Sequence, residues 1–261
     1  MPYLFWLAVL TGPFLVWVHL SRGGFGPELL GRLLLGGSYI GRPFSAFWFV
    51  GALFAVAIAY RALESLPKWA AWGVAVAALA AAYLVPDVVR AIPLGIGTGL
   101  ASLIFLLAGR ALRTTPVRRP VVVGVSLLAV SAALVLSGLS APMDLKQADA
   151  GTPFLSVAVA IAVSAALVLL GVALGSRLGG AASRVITLLA SSALMVILTH
   201  AAVLWLLRMP ETGDWFYFVA ATIVSWTAAT VAVHTRAARL LTGSDRVPRR
   251  EPLTRREPLA E

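Results

Sequence analysis

Cysteine and asparagine are both absent from the 261 residues, and charge is scarce, with Asp, Glu, Lys and Arg making up 12% of the chain. Without cysteine there is no disulfide, no thiolate nucleophile and no thiolate metal ligand. Without asparagine there is no N-glycosylation acceptor. The charged fraction is about half the roughly 25% of soluble domains, too little to cover a soluble surface. Also missing are a GxSxG elbow, an HExxH helix, a P-loop and any group of histidines and carboxylates at metal-ligand spacing. Soluble hydrolase, metalloenzyme and nucleotide-hydrolase readings therefore have no residues to rest on, and no metal is expected.

What the chain does have is apolar sequence, 60% of it. In hydrocarbon every backbone polar group must be satisfied within the protein, which leaves helices as the spanning element for runs of about 20 apolar residues. The fold class expected is all-α, a polytopic membrane helix bundle with about eight transmembrane helices, at 3–20, 44–60, 69–85, 91–107, 120–136, 154–174, 186–207 and 215–233. These make one transmembrane domain over 1–235, followed by a basic Pro- and Arg-rich cytoplasmic tail, 236–261, expected to be disordered. Trp6 and Trp17 stand near the ends of the first span as interfacial anchors. Between the first two spans, Leu29, Leu30, Leu33, Leu34 and Leu35 alternate with Glu28 and Arg32 in a pattern that fits a short helix lying in the interface. In the fourth span Gly95 and Gly99 form a small-xxx-small step for close helix approach.

The formal charge of +10 would suggest nucleic acid in a soluble chain, but here the arginines gather in short gaps between apolar runs, with no aromatic residues interleaved in a basic groove. No nucleic-acid partner is expected; membrane lipid is. The gap holding Arg110, Arg113, Arg118 and Arg119 carries +4, that of Arg177 and Arg184 +2 and the tail +3, whereas 144–149 and 208–214 carry −1 each. The alternation places the basic gaps and both termini on the cytoplasmic side of a bacterial-type cytoplasmic membrane. The 21–43 gap departs from this, at +2 on the opposite side. Its Arg32 and Arg42 read either as lipid head-group contacts or as acceptor-side residues for an anionic or sugar substrate.

No acidic or basic residue lies in mid-span and no internal repeat is visible, which counts against an ion-coupled transporter. The single intramembrane histidine of the seventh span, His200, needs a polar partner in hydrocarbon. It shares a helical face with Ser192, Val196, Val203 and Leu207, a mixed surface that reads as turned toward other helices. Either it is a structural histidine bonded to a neighbouring helix, or it is a general base on a hydroxyl, for which its near-neutral pKa suits it. His19 and His234 fall at span ends.

Four stretches resemble a known family. FSAFWFVGALFAVAIAYRAL (44–63) is similar to the Phe/Trp-rich helix of the integral-membrane acyltransferase-3 family, the group that includes fucose 4-O-acetylase-like glycan O-acyltransferases. IPLGIGTGLASLIFLLAGRAL (92–112) resembles its Pro/Gly-rich helix, and SSALMVILTHAAVLWLL its late helix with a serine two turns before a histidine. The opening MPYLFWLAVL looks like the family's third helix. The resemblance implies transfer of an acyl group, often acetyl, from acetyl-CoA or another acyl-CoA to a hydroxyl of a sugar or surface glycan. It makes Arg110, Arg113, Arg118 and Arg119 a donor-binding patch and leaves His200 as the catalytic candidate. The family's principal histidine and its preceding arginine, in the first helix, and the basic motif before the third have no counterpart here. The chain is therefore expected to be an amino-terminally shortened member, inactive by itself or completed by a partner subunit that supplies the missing helices. The other readings are a non-enzymatic exporter or permease-like protein and a structural membrane subunit.

Overall fold

The computed structural model describes residues 2–24, 26–36, 39, 41–175, 177–210 and 213–247. Among them there are twelve α-helices and no strand. In chain order they are α1 (Pro2–Arg22), α2 (Pro27–Leu35), α3 (Trp48–Leu63), α4 (Lys68–Leu84), α5 (Pro86–Ala91), α6 (Ile96–Ala101) and α7 (Leu103–Thr114), followed by α8 (Pro120–Leu136), α9 (Leu155–Gly175), α10 (Gly180–Leu206), α11 (Trp215–Ala232) and α12 (Ala238–Leu241).

Helices α1, α9, α10 and α11 are each long and apolar enough to cross a membrane. Helices α6 and α7, with the 3₁₀ turn Pro93–Gly95 before them, meet the same test together as one span bent by 49°. Helices α3, α4 and α8 are apolar and have 16, 17 and 17 residues, about the shortest that can span. These elements stand at the eight expected positions, and the protein is a polytopic helical membrane protein. Beyond the expected end of the fourth span at 107 the helix continues to Thr114, so Arg110 and Arg113 lie on the last turns of α7. The bend has a local cause. Thr98 Oγ1 donates to the Gly95 carbonyl at 3.0 Å and Ser102 Oγ to the Thr98 carbonyl at 2.8 Å, and such back-bonding hydroxyls bend helices.

The chain divides into two compact units, one of Met1–Pro13 with Arg184–Glu261 and one of Phe14–Ser183. In the second unit burial is inverted relative to a soluble core. On α8, Val122, Val130 and Leu136 are exposed while Gly124 and Ser131 are buried; on α9, Leu167 and Val172 are exposed while Ser156 and Ala166 are buried. Large apolar side chains face outward and small ones pack the seam, the pattern of helices solvated by lipid. A Cβ on Gly124 would lie 2.8 Å from Leu170 Cγ. Helices α3 and α6 meet more closely still. A Cβ on Gly95 would lie 3.1 Å from the Trp48 carbonyl oxygen and one on Gly99 2.6 Å from that of Ala52. Two glycines four residues apart thus cover two carbonyls four residues apart. The same unit has an apolar core of Val56, Ala75, Leu79, Leu103, Leu107 and Val157.

The α8–α9 connection folds tightly over the end of this unit where α4 finishes. Tyr83 Oη donates to the Ala150 carbonyl at 3.2 Å and accepts from Phe154 N at 3.1 Å. Ser156 Oγ donates to the Ala141 carbonyl at 2.7 Å, accepts from Thr152 N at 3.0 Å and lies 3.2 Å from Ser140 Oγ. Asp144 caps the turn Leu145–Gln147, accepting from the backbone of Lys146 and Gln147, and Arg90 reaches Gln147 and Asp87.

In the first unit α10 buries Ser192, Met195, Leu198, Thr199 and Ala202, and α11 buries Ala221, Ser225, Ala229 and Ala232. Trp6, expected as an interfacial anchor, instead donates its Nε1–H to the Leu241 carbonyl at 2.8 Å, tying α1 to α12. Residues 236–247, at the start of the stretch read as a tail, are folded: Thr242 is buried, Ser244 Oγ donates to the Ser191 carbonyl at 2.8 Å and Val247 N to the Val233 carbonyl at 3.1 Å. The remainder of the tail, 248–261, lies outside the described residues, as does Glu211.

Candidate functional site

Helix direction sets which charges can meet. Helices α3 and α7 end, and α4 begins, at one end of the second unit, the end opposite the α8–α9 connection, and their terminal turns carry Glu64, Lys68 and Arg110. Between them is a cavity of about 440 Å³ walled by Tyr60, Leu63, Glu64, Lys68, Trp72 and Arg110, with Thr114 and Thr115 at its edge. Glu64 Oε2 takes Arg61 Nη1 at 2.7 Å and Glu64 Oε1 takes Arg110 Nη1 at 3.7 Å. The Arg110 guanidinium lies 5.2 Å from the centre of the Tyr60 ring, within the range of a cation–π contact. Lys68, the first residue of α4, is exposed and has no acidic partner among the described residues. The cavity thus holds two cations and one carboxylate, with a third cation, Arg61, beside it.

Of the four arginines expected to form a donor patch, the structure brings Arg110 to this cavity and leaves Arg113, Arg118 and Arg119 exposed, with no ion pair among the described residues. Tyr60, Glu64, Lys68 and Trp72 were not legible as site residues. The one signal was a short polar gap, RALESLPKW (61–69), which reads just as well as an ordinary span boundary.

His200 is half-buried at the edge of the packed face of α10. Its Nδ1 lies 3.1 Å from the carbonyl of Val196, one turn back on the same helix, so its partner is local and not the neighbouring helix. Ser192 and Thr199 likewise satisfy their hydroxyls on their own helix, at the Leu188 and Met195 carbonyls. Nδ1 faces a carbonyl and so donates; in a neutral imidazole this leaves the lone pair on Nε2, the tautomer a general base requires. Arg32 is exposed on α2, and Arg42 is half-buried beside Pro43, across a cis peptide bond. His19 is exposed and has no acidic partner among the described residues.

Lys146 sits in the opposite connection, at the closed end of the unit. Burial pushes its ammonium below the usual lysine range, and the Asp144 carboxylate only partly offsets this.

A family model described as an acyltransferase domain, Acyl_transf_3, matches residues 1–234. No curated protein and no solved structure matches the chain.

Proposed function

Because the chain belongs to the acyltransferase-3 family, we propose that this membrane protein moves an acyl group, in the simplest case acetyl, from acyl-CoA to a hydroxyl of a sugar or surface glycan. The observation that carries the donor side is the cavity at the ends of α3, α4 and α7, where Lys68 and Arg110 offer cations to phosphate and Trp72 offers a flat face to a base. The charge pattern supports an orientation with this end, and both termini, on the cytoplasmic side of a bacterial-type membrane, where acyl-CoA is found.

In the transfer the acceptor oxygen attacks the thioester carbonyl, the new C–O bond forms, the C–S bond breaks, and the hydroxyl proton leaves with the thiolate as CoA thiol. His200 is the base proposed for that proton, on the strength of its free Nε2. Arg32 and Arg42 are proposed for the acceptor side, Arg42 as the more enclosed of the two.

Expression of the full chain in a bacterial host, followed by mass analysis of the surface glycan, tests this. Acyl-CoA-dependent acetylation that His200→Ala reduces by at least about a hundredfold is the expected result, the low end of what general-base catalysis contributes. Transport of an unmodified glycan, or modification unaffected by His200→Ala, contradicts the transferase reading or the role of the histidine, respectively.

A further inference from the structure

We propose that the cavity between α3, α4 and α7 is a phosphate site in which Arg110 exchanges Glu64 for the phosphate oxygens of its ligand. Two ligands share that chemistry, the 3′-phospho-ADP end of CoA and the head group of an anionic lipid, and the first of these rests on the acyl-CoA reading above.

The geometry points to exchange because the two ion pairs of Glu64 are unequal. Arg61 sits at 2.7 Å and Arg110 at 3.7 Å; charge-assisted bonds of full strength lie near 2.7–2.9 Å. Arg110 can therefore leave without orphaning the carboxylate, which keeps Arg61. The Arg110 side chain is about half exposed, so a water-borne or lipid-borne anion can reach it. Lys68 faces the same space with no carboxylate to neutralise it, and the uncapped start of α4 at Pro67 and Lys68 forms part of the wall. A guanidinium held at long range by one carboxylate and an ammonium with no ion pair among the described residues are suited to phosphate, the first as a planar fork and the second as a point charge. Tyr60 already holds Arg110 by its ring face, which fixes the guanidinium's stem side when the carboxylate is released. A volume of about 440 Å³ takes a phosphorylated ring but not a whole donor molecule, so the remainder of the ligand extends out of it.

The test uses the purified full chain in nanodiscs of phosphatidylcholine, with CoA as probe in titration calorimetry, and a parallel preparation in phosphatidylglycerol. CoA is expected to bind, and Lys68→Ala and Arg110→Ala each to weaken it about tenfold, the loss of one charge-assisted contact. Glu64→Gln is expected to bind more tightly than the parent, since it removes the competing carboxylate, and Arg177→Ala, a surface arginine in another gap, to bind as the parent does. Lys68 is exposed, so its variant folds whatever its effect on binding. If CoA does not bind but phosphatidylglycerol is retained in a manner that needs Lys68 and Arg110, the phosphate site stands and its ligand is lipid. If neither ligand depends on those two residues, or if Glu64→Gln weakens binding, the proposal fails. Acyl transfer that runs unchanged in both variants would sink CoA as the ligand of this site and leave the transferase reading intact. CoA binding that needs both residues, without any transfer, would do the reverse.

Discussion

The two ends of the second unit are built from the same helices and finish differently. Where α4 ends and α8 passes into α9, polar side chains close on one another: Tyr83 bridges two backbone groups and Ser156 touches three partners. Where α4 begins and α3 and α7 end, the polar side chains are longer, charged and turned to a cavity, and one of them, Lys68, has no ion pair among the described residues. Hydroxyls seal the first end because they bond backbone at close range; at the second the cavity's cations face one carboxylate, Glu64, across open space. On the proposed reading, chemistry belongs at the open end and stability at the closed one.

Substitutions can break that contrast. The largest effect on stability is expected at the closed end from Ser156→Ala, which leaves the Ala141 carbonyl and the Thr152 amide without their buried partner and costs about 2–3 kcal/mol, read as a fall in the unfolding midpoint in detergent. Tyr83→Phe removes one hydroxyl from two backbone groups at longer range and costs about 1–2 kcal/mol, with faster amide exchange over 150–154. At the open end Glu64→Gln, despite deleting both ion pairs, changes stability by less than about 1 kcal/mol, because exposed pairs are worth little; a loss comparable to that of Ser156→Ala would erase the distinction between the ends.

The smallest effect is expected at Lys146. Its folded-state pKa is lowered by burial, so at neutral pH the folded protein carries a charge it disfavours. Between the lowered value and the ordinary value of 10.5 the unfolded chain binds more protons than the folded one, and stability rises with pH across that window. Lys146→Gln removes both the cost and its pH dependence, giving a slightly higher midpoint at pH 7 and a flatter profile at alkaline pH.

Much of this architecture is readable from the chain, and the reason is lipid. Eight apolar stretches and the Gly95–Gly99 step are imposed by local sequence, since each span must satisfy its own backbone and each close crossing needs small residues. The break at Ser102 is less legible, because the hydroxyl bonds of Thr98 and Ser102 bend a helix whose composition looks continuous. The cavity is not legible at all. Glu64 and Lys68 stand more than forty residues from Arg110, and only the antiparallel course of α3, α4 and α7 brings the three ends together. His200 shows the opposite limit: a lone histidine in an apolar run draws attention, yet its Nδ1 partner is the carbonyl one turn behind it.

Amide hydrogen exchange of the full chain in nanodiscs, with and without CoA, tests the assignment of chemistry to the open end most directly. Slower exchange confined to the segments 60–72 and 107–115, with the 137–156 connection unchanged, is the predicted result. Protection that appears at the 137–156 connection instead, or at neither end, contradicts it.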